Sequence, residues 1–332
     1  MGRRGGGHDG PDGLVVVDKP TGWTSHDVVA KSRGLLGTRK VGHAGTLDPD
    51  ATGVLLLGVG KATKLLRFLA PLGKSYVGEV RLGVDTSTLD ASGTVTAVHD
   101  MSAVTLDDVR AVLARFRGEI EQVPPMVSAV KIDGKRLHEL AREGKEVDRA
   151  PRPVTIHSLE VGPPGPIDAP VERIDVTTLE RIGGIETPEF AAAAAAGSGP
   201  SFAMAVTCSS GTYIRTLAED IGAALGGGAH LVSLRRTSVG PYTLDDAVPL
   251  EQVAPERALP MADAVRHLPR VVVDDERATD IAVGKVLPRA ALALESDDGA
   301  EHWAVFDETG ALLAVYEPFR DGTVKPSLVI AA

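Results

Sequence analysis

The first apolar block, Leu14-Val15-Val16-Val17, is short and aliphatic, and the turn cluster Asp18-Lys19-Pro20-Thr21-Gly22 closes it, which predicts a buried strand. Ser25 is placed to cap a helix from His26 to about Leu36, with Val28, Val29 and Leu35 as its apolar positions and Gly37 as its stop. Residues 38–53 read as loop, punctuated by Gly42, Gly45, Pro49 and Gly53, before the run Val54-Leu55-Leu56-Leu57. A helix is expected over 61–69. The alternation of Val77, Val80 and Leu82 then predicts a strand over 76–84. Thr105-Leu106-Asp107-Asp108 has the form of a capping box for a helix to about Phe116.

After Pro124-Pro125, the segment Val127–Ile132 reads as a strand entering the turn Asp133-Gly134, and Lys135–Arg142 as a short basic helix. A strand over 154–161 follows. Residues 162–201 change character, with paired prolines, paired glycines and an alanine run, and are expected to be a long surface excursion. Strand at 202–207, helix at 212–225 and strand at 231–239 come next. A connector over 249–268 leads to short strand-like runs at 271–273, 303–306 and 312–316. Few helices among many strands predict an α+β fold on a mixed sheet, followed by a small β-rich domain.

At 332 residues the chain exceeds the usual single domain, and no apolar run reaches bilayer length. The polar, Gly-rich residues 1–12 are expected to be a flexible tail. Cys208 is the single cysteine, so neither an internal disulfide nor a Cys-rich zinc site is open to the chain, and a reducing cytoplasm is its natural setting. The net charge of −10 would disfavour a nucleic-acid partner were it uniform. It is not uniform: residues 1–90 carry +3, whereas 161–250 carry −5 and 251–332 carry −7. A phosphate-facing surface is therefore easiest to build in the N-terminal half, from Lys31, Arg33, Arg39 and Lys40 and from Lys61, Lys64 and Arg67. Lys131, Lys135, Arg136 and Arg142 add a third basic group. Each group alone also reads as an ordinary solvated face.

The loop Gly42-His43-Ala44-Gly45-Thr46-Leu47-Asp48-Pro49 carries the most chemical information. Its glycines permit torsions closed to other residues and Pro49 stiffens the chain just past Asp48, so the loop can hold a carboxylate toward a ligand; alone it also reads as a turn. Ser209-Ser210-Gly211-Thr212-Tyr213-Ile214-Arg215-Thr216 lies at a strand-to-helix passage, where Arg215 could favour the ionised form of a carboxylate. Tyr76 offers an aromatic face on which an extruded pyrimidine could stack, although a strand Tyr is ordinarily core. His43 reads as a turn residue or as a stacking partner. Metal ligation is disfavoured, since no His or Cys partner stands at ligand spacing.

Taken in order, residues 13–25, 42–55, 74–83, 124–142, Gly211–Thr216 and Leu234-Arg235-Arg236 strongly resemble the bacterial TruB family of tRNA pseudouridine synthases, over roughly 13–161 and 202–250. The resemblance implies a mixed-sheet catalytic domain over 13–250, with an RNA-binding insertion at 124–152, and a PUA-like RNA-binding domain over 269–332. It implies isomerisation of uridine 55 in the T loop of tRNA without metal or cofactor, by a monomer that needs no guide RNA and no membrane. Asp48 is then the nucleophile, Tyr76 stacks on the base and is a candidate general base, Arg215 pairs with Asp48, Tyr213 lines the pocket, His43 meets the flipped nucleotide and Leu234 packs on the base. Val127 and His138 stand where relatives often carry Tyr, and the 162–201 excursion has no counterpart in compact relatives. Attack at C1′ and addition at C6 both remain open. The competing classes are a carboxylate-dependent glycosidase, which would release free base, a tRNA-binding or folding module, and a guide-dependent synthase of the dyskerin kind.

Overall fold

A computed structural model describes residues 10–128, 147–163, 199–294 and 299–330, together with the backbone of 131–132 and 135–136. A ten-stranded mixed sheet forms its centre. The strands run Val248–Pro249, Gly13–Lys19, Thr52–Val59, Ala229–Val239, Lys74–Leu82, Ser201–Cys208, Arg152–Gly162 and Gly118–Gln122, with Val41–Ala44 and Tyr242–Thr243 branching off. Most neighbours are antiparallel. Ala229–Val239 meets Thr52–Val59 in parallel, which brings Arg236 opposite Gly53.

The continuous apolar runs are explained by cover on both faces of the sheet. Leu14, Val16, Val54 and Leu56 point into one core with Leu65, Phe68 and Leu69. Val15, Val17, Leu55 and Leu57 point into the opposite core, closed by Val28, Val29 and Leu36 at the helix Ser25–Leu35. The other half of the sheet buries Val80, Leu82, Phe202, Met204 and Val206 beneath the helix Ile214–Ala224. That helix presents Ile214, Leu217, Ala218 and Ile221, the spacing of one helical face.

A second, five-stranded sheet follows the order Arg270–Val273, Trp303–Asp307, Leu312–Pro318, Thr323–Val329, Leu287–Pro288. Trp303, Val305, Ala314 and Tyr316 fill its own core. Ala304, Phe306, Leu312 and Val315 enter the core of the main sheet, so the two sheets share apolar packing. The fold is thus α+β on a mixed sheet with a β-rich C-terminal part, and none of the described helices is long and apolar enough to cross a membrane.

Several local expectations change. Thr24, not Ser25, caps the first helix, through a reciprocal capping box with Asp27. The expected loop 38–53 contains the strand Val41–Ala44, paired with Thr52–Val59. The expected helix 61–69 is a 3-10 segment Gly60–Leu65 followed by one α turn, Leu66–Leu69. Lys135 and Arg136 pair as strand with Lys131 and Ile132 rather than opening a basic helix. The helix Asp275–Ala282, which apolar blocks could not reveal, sits among the C-terminal strands. The tail expected over 1–12 lies mostly outside the described residues, as do Arg142, His138, the side chains of Lys131, Lys135 and Arg136, and most of the 162–201 excursion.

Candidate active site

The strands Val41–Ala44 and Thr52–Val59 form a hairpin, and residues 45–51 are its loop. Backbone groups on both sides of Asp48 are fixed. Ser25 Oγ accepts the Leu47 N–H at 2.9 Å and donates to the Leu47 carbonyl at 3.2 Å. The fully buried Lys19 Nζ donates to the carbonyls of Pro49, Trp23 and Pro20 at 2.8, 2.6 and 2.9 Å, and Gly22 N–H also reaches Pro49. Burial pushes the Lys19 ammonium down to about 8, against opposing pulls from Asp50 and Asp48. From the sheet side, Arg236 donates to the carbonyls of Gly45 and Thr46. The nucleophile candidate therefore projects from a loop with little freedom to move.

Asp48 faces a cavity of about 270 Å³ whose wall also includes Tyr76, Tyr213, Arg215, Leu234 and Arg236. Arg215 Nε lies 3.1 Å from Asp48 Oδ2. The guanidinium is held from behind by the carbonyls of Thr88 at 2.8 Å and Val127 at 2.9 Å, and its Nη1 is 3.4 Å from Asp90 Oδ2. The Asp48 side chain keeps 44 % of its surface open on the cavity side, while protein encloses the rest. That enclosure pushes its pKa up; Arg215 pulls it down and Asp90 adds a further push. Arg215 thus favours the charged form, as the sequence suggests, while desolvation opposes it and is the larger influence.

Tyr76 stands in Lys74–Leu82 opposite Val206 on one side and Arg236 on the other, and is buried. Burial raises its phenol, Arg236 opposes the rise, and the phenol is the resting form at neutral pH. Leu234 lies opposite Gly78 in the neighbouring strand and adds an apolar wall. Tyr213 is the N-cap of Ile214–Ala224 in an extended conformation, so the first turn stays open enough for Tyr213 and Arg215 to line one cavity. No side-chain oxygen caps that helix. Instead the buried Gln122 amide accepts the Tyr213 N–H at 2.9 Å and donates to the Tyr213 carbonyl at 3.2 Å.

Five of the six sequence-predicted residues, Asp48, Tyr76, Tyr213, Arg215 and Leu234, thus meet in one cavity. His43 does not line it. Its ring packs edge-on against His26 at 5.2 Å, and burial, reinforced by His26 and Arg236, lowers its pKa. Gln122, Lys74 and Asp90 are additions that the sequence did not single out, and Ser25, expected only as a helix cap, instead holds the Asp48 loop. Lys31, Arg33, Arg39, Lys40, Lys61, Lys64 and Arg67 are all exposed.

A carboxylate paired with a buried guanidinium thus shares one cavity with two tyrosines, on a loop carried by a mixed sheet. Residues 33–178 match the TruB family pseudouridylate synthase N-terminal domain, and residues 215–278 match the tRNA pseudouridylate synthase B C-terminal domain. The chain is 46 % identical over 324 residues to a tRNA pseudouridine synthase B of Arthrobacter sp. (strain FB24), covering 96 % of each chain. It is 48 % identical over 315 residues to the protein of that name in Streptomyces coelicolor, covering 94 % of this chain and 95 % of that one. A crystal structure of a Cbf5-Nop10-Gar1 complex contains a chain matching at TM-score 0.67 and 27 % identity, over 96 % of this chain and 84 % of that chain. The chain belongs to the TruB family of pseudouridylate synthases.

Proposed function

We propose that the chain isomerises uridine 55 in the T loop of tRNA to pseudouridine, with Asp48 as the nucleophile. The observation that carries this reading is the Asp48–Arg215 pair at 3.1 Å on a cavity walled by Tyr76, Tyr213 and Leu234. The reaction moves the sugar from N1 to C5 of the same base, adding no atom and no electron, so it calls for no redox group. The target base leaves its stack at a cost of a few kcal/mol, least in a loop, and enters the cavity. There Tyr76 stacks on it, Leu234 closes the opposite wall and Tyr213 borders the sugar side. Asp48 then engages C1′ or C6. Fixed dipoles and charges in place of water supply much of the acceleration.

The exposed bases of 31–40 and 61–67 contact phosphates of the T arm, with His43 near the extruded nucleotide and the insertion 124–152 gripping the arm. Residues 269–332 serve as a PUA-like RNA-binding domain. The chain acts as a monomer in the cytoplasm and reads the T arm itself, without a guide RNA. Purified chain, incubated with unmodified tRNA alone, is expected to yield pseudouridine at position 55, read by chemical mapping. Free uracil would indicate a glycosidase, binding without conversion a folding module, and activity only with added RNA a guide-dependent enzyme.

A further inference from the structure

Arg236 is the largest charged side chain fully buried in the described residues, and it lies directly across the ladder from Tyr76. Its hydrogen bonds among those residues go to carbonyl oxygens. Nε donates to Val54 at 2.7 Å, Nη2 to Gly45 at 3.2 Å and Nη1 to Thr46 at 3.4 Å, and Tyr76, its partner across the ladder, lines the same cavity. A strand brace would need only the carbonyl contacts, and an apolar side chain would avoid burying the charge altogether. A phenol oxygen beside a guanidinium can accept from it and keep its own hydrogen for another acceptor, and the Tyr76 ring borders the cavity.

The chemistry of the rearrangement supplies a use for that hydrogen. Uridine carries its sugar on N1 and a hydrogen on C5; pseudouridine carries the sugar on C5 and a hydrogen on N1. One proton must therefore leave C5 and one must reach N1. Turning the ring about its N3–C6 axis exchanges the places of N1 and C5, so a single group beside the sugar meets N1 first and C5 second. We propose that Arg236 is a positioning residue that makes the Tyr76 phenol a two-way proton carrier in this reaction. It rests on the pseudouridine synthase reading above.

As the N1–C1′ bond breaks, its electron pair stays on N1, which takes the Tyr76 proton; the phenolate left behind is held by Arg236. With Asp48 having taken C1′ as an ester while N1 left, the C5=C6 pair after the turn forms the C5–C1′ bond as the Asp48–C1′ bond breaks and its electron pair returns to the carboxylate. C5 then gives its proton to the phenolate and the double bond returns. Asp48 enters and leaves as a carboxylate, so protons balance with none drawn from solvent. The charged and titratable groups facing the phenol are Arg236, Cys208 and Asp48; those facing Arg236 are Lys74, Lys19 and His43. Among the described residues Arg236 is therefore the cation placed opposite Tyr76 to meet a phenolate.

The test uses the full chain with T-loop-bearing tRNA in single-turnover assays, with tRNA binding and urea unfolding measured alongside. Arg236→Met should slow pseudouridine formation by about a hundredfold or more while changing tRNA affinity by less than about threefold. Arg236→Lys, which keeps the charge with fewer donors, should fall between the two. Replacing Tyr76 by the more acidic 3,5-difluorotyrosine should restore about tenfold of the lost rate in the Arg236→Met chain and little in the parent. A merely structural Arg236 predicts no such rescue, and that result, or an Arg236→Met rate within about threefold of the parent, overturns the inference. Should Arg236→Met not fold, the difluorotyrosine comparison is made in Arg236→Lys, with the same two outcomes. An inactive parent chain would overturn the function reading itself, and the inference with it.

Discussion

Replacing Arg215 by Met tests the electrostatic arrangement around Asp48 in two independent ways. The substitution keeps most of the side-chain volume but removes the ion pairs to Asp48 and Asp90 and the donors to the Thr88 and Val127 carbonyls. Stripping one partner from a fully buried pair costs about 3–5 kcal/mol. Here Asp48 and Asp90 keep 44 % and 21 % of their side-chain surfaces open, so water repays part of that loss, while the two carbonyls lose donors at about 1 kcal/mol each. The expected destabilisation at neutral pH is about 3 kcal/mol, read by urea unfolding. Its pH dependence has a definite sign. Asp48 already has a raised pKa, and losing Arg215 raises it further, so the folded chain binds protons more tightly than the unfolded one. The penalty is full above the folded pKa and shrinks as pH falls through it. The acid limb of the single-turnover rate, set by loss of the Asp48 carboxylate, should move to higher pH. An unmoved acid limb with a stability loss under about 0.5 kcal/mol would refute the reasoning.

Ser25→Ala removes both hydrogen bonds to Leu47 and should cost about 1–3 kcal/mol, with slower catalysis than binding loss explains, measured by single-turnover rate against tRNA affinity. At Gly53, φ is +98° and a Cβ would fall 2.1 Å from the Arg236 carbonyl oxygen, so Gly53→Ala should destabilise by about 4 kcal/mol or more in urea unfolding. Lys19 sits near 8 against an ordinary 10.5, so the folded state sheds that proton first. Its contribution to stability should therefore rise with pH between those values, and the stability of Lys19→Met, followed by urea midpoint, should rise less steeply over that range.

The sequence made the sheet legible where apolar runs were long. Leu14–Val17 and Val54–Leu57 have apolar residues on both faces because each face meets its own core, and that signature survives without any knowledge of partners. Capping was legible at Thr105–Asp108, where both reciprocal hydrogen bonds form. At the first helix, neighbouring hydroxyls competed: Thr24 took the cap and freed Ser25 to hold the Asp48 loop, a choice fixed only by where the loop returns in space. Asp48, Tyr213 and Arg215 drew notice because a Gly- and Pro-stiffened loop and a strand-to-helix passage concentrate polar groups locally, but the roles of all the site residues, and Leu234 altogether, came from the resemblance of the motifs taken as a set. Gln122 and Asp90 were not, since each acts through a partner 91 or 125 positions away, a separation no local pattern records. His43 stood next to the right loop but on a paired strand, where the hairpin turns it toward His26 instead of the cavity.

The central claim is that the Asp48 carboxylate performs the chemistry and is not simply part of the RNA-binding surface. Asp48→Asn keeps the shape of the side chain and the polar contact available to Arg215 while removing the negative charge. Single-turnover conversion of tRNA uridine 55, measured beside tRNA binding, should fall to background with affinity changed by less than about threefold. Conversion at the parent rate, with the substitution verified in the purified protein, would contradict the account.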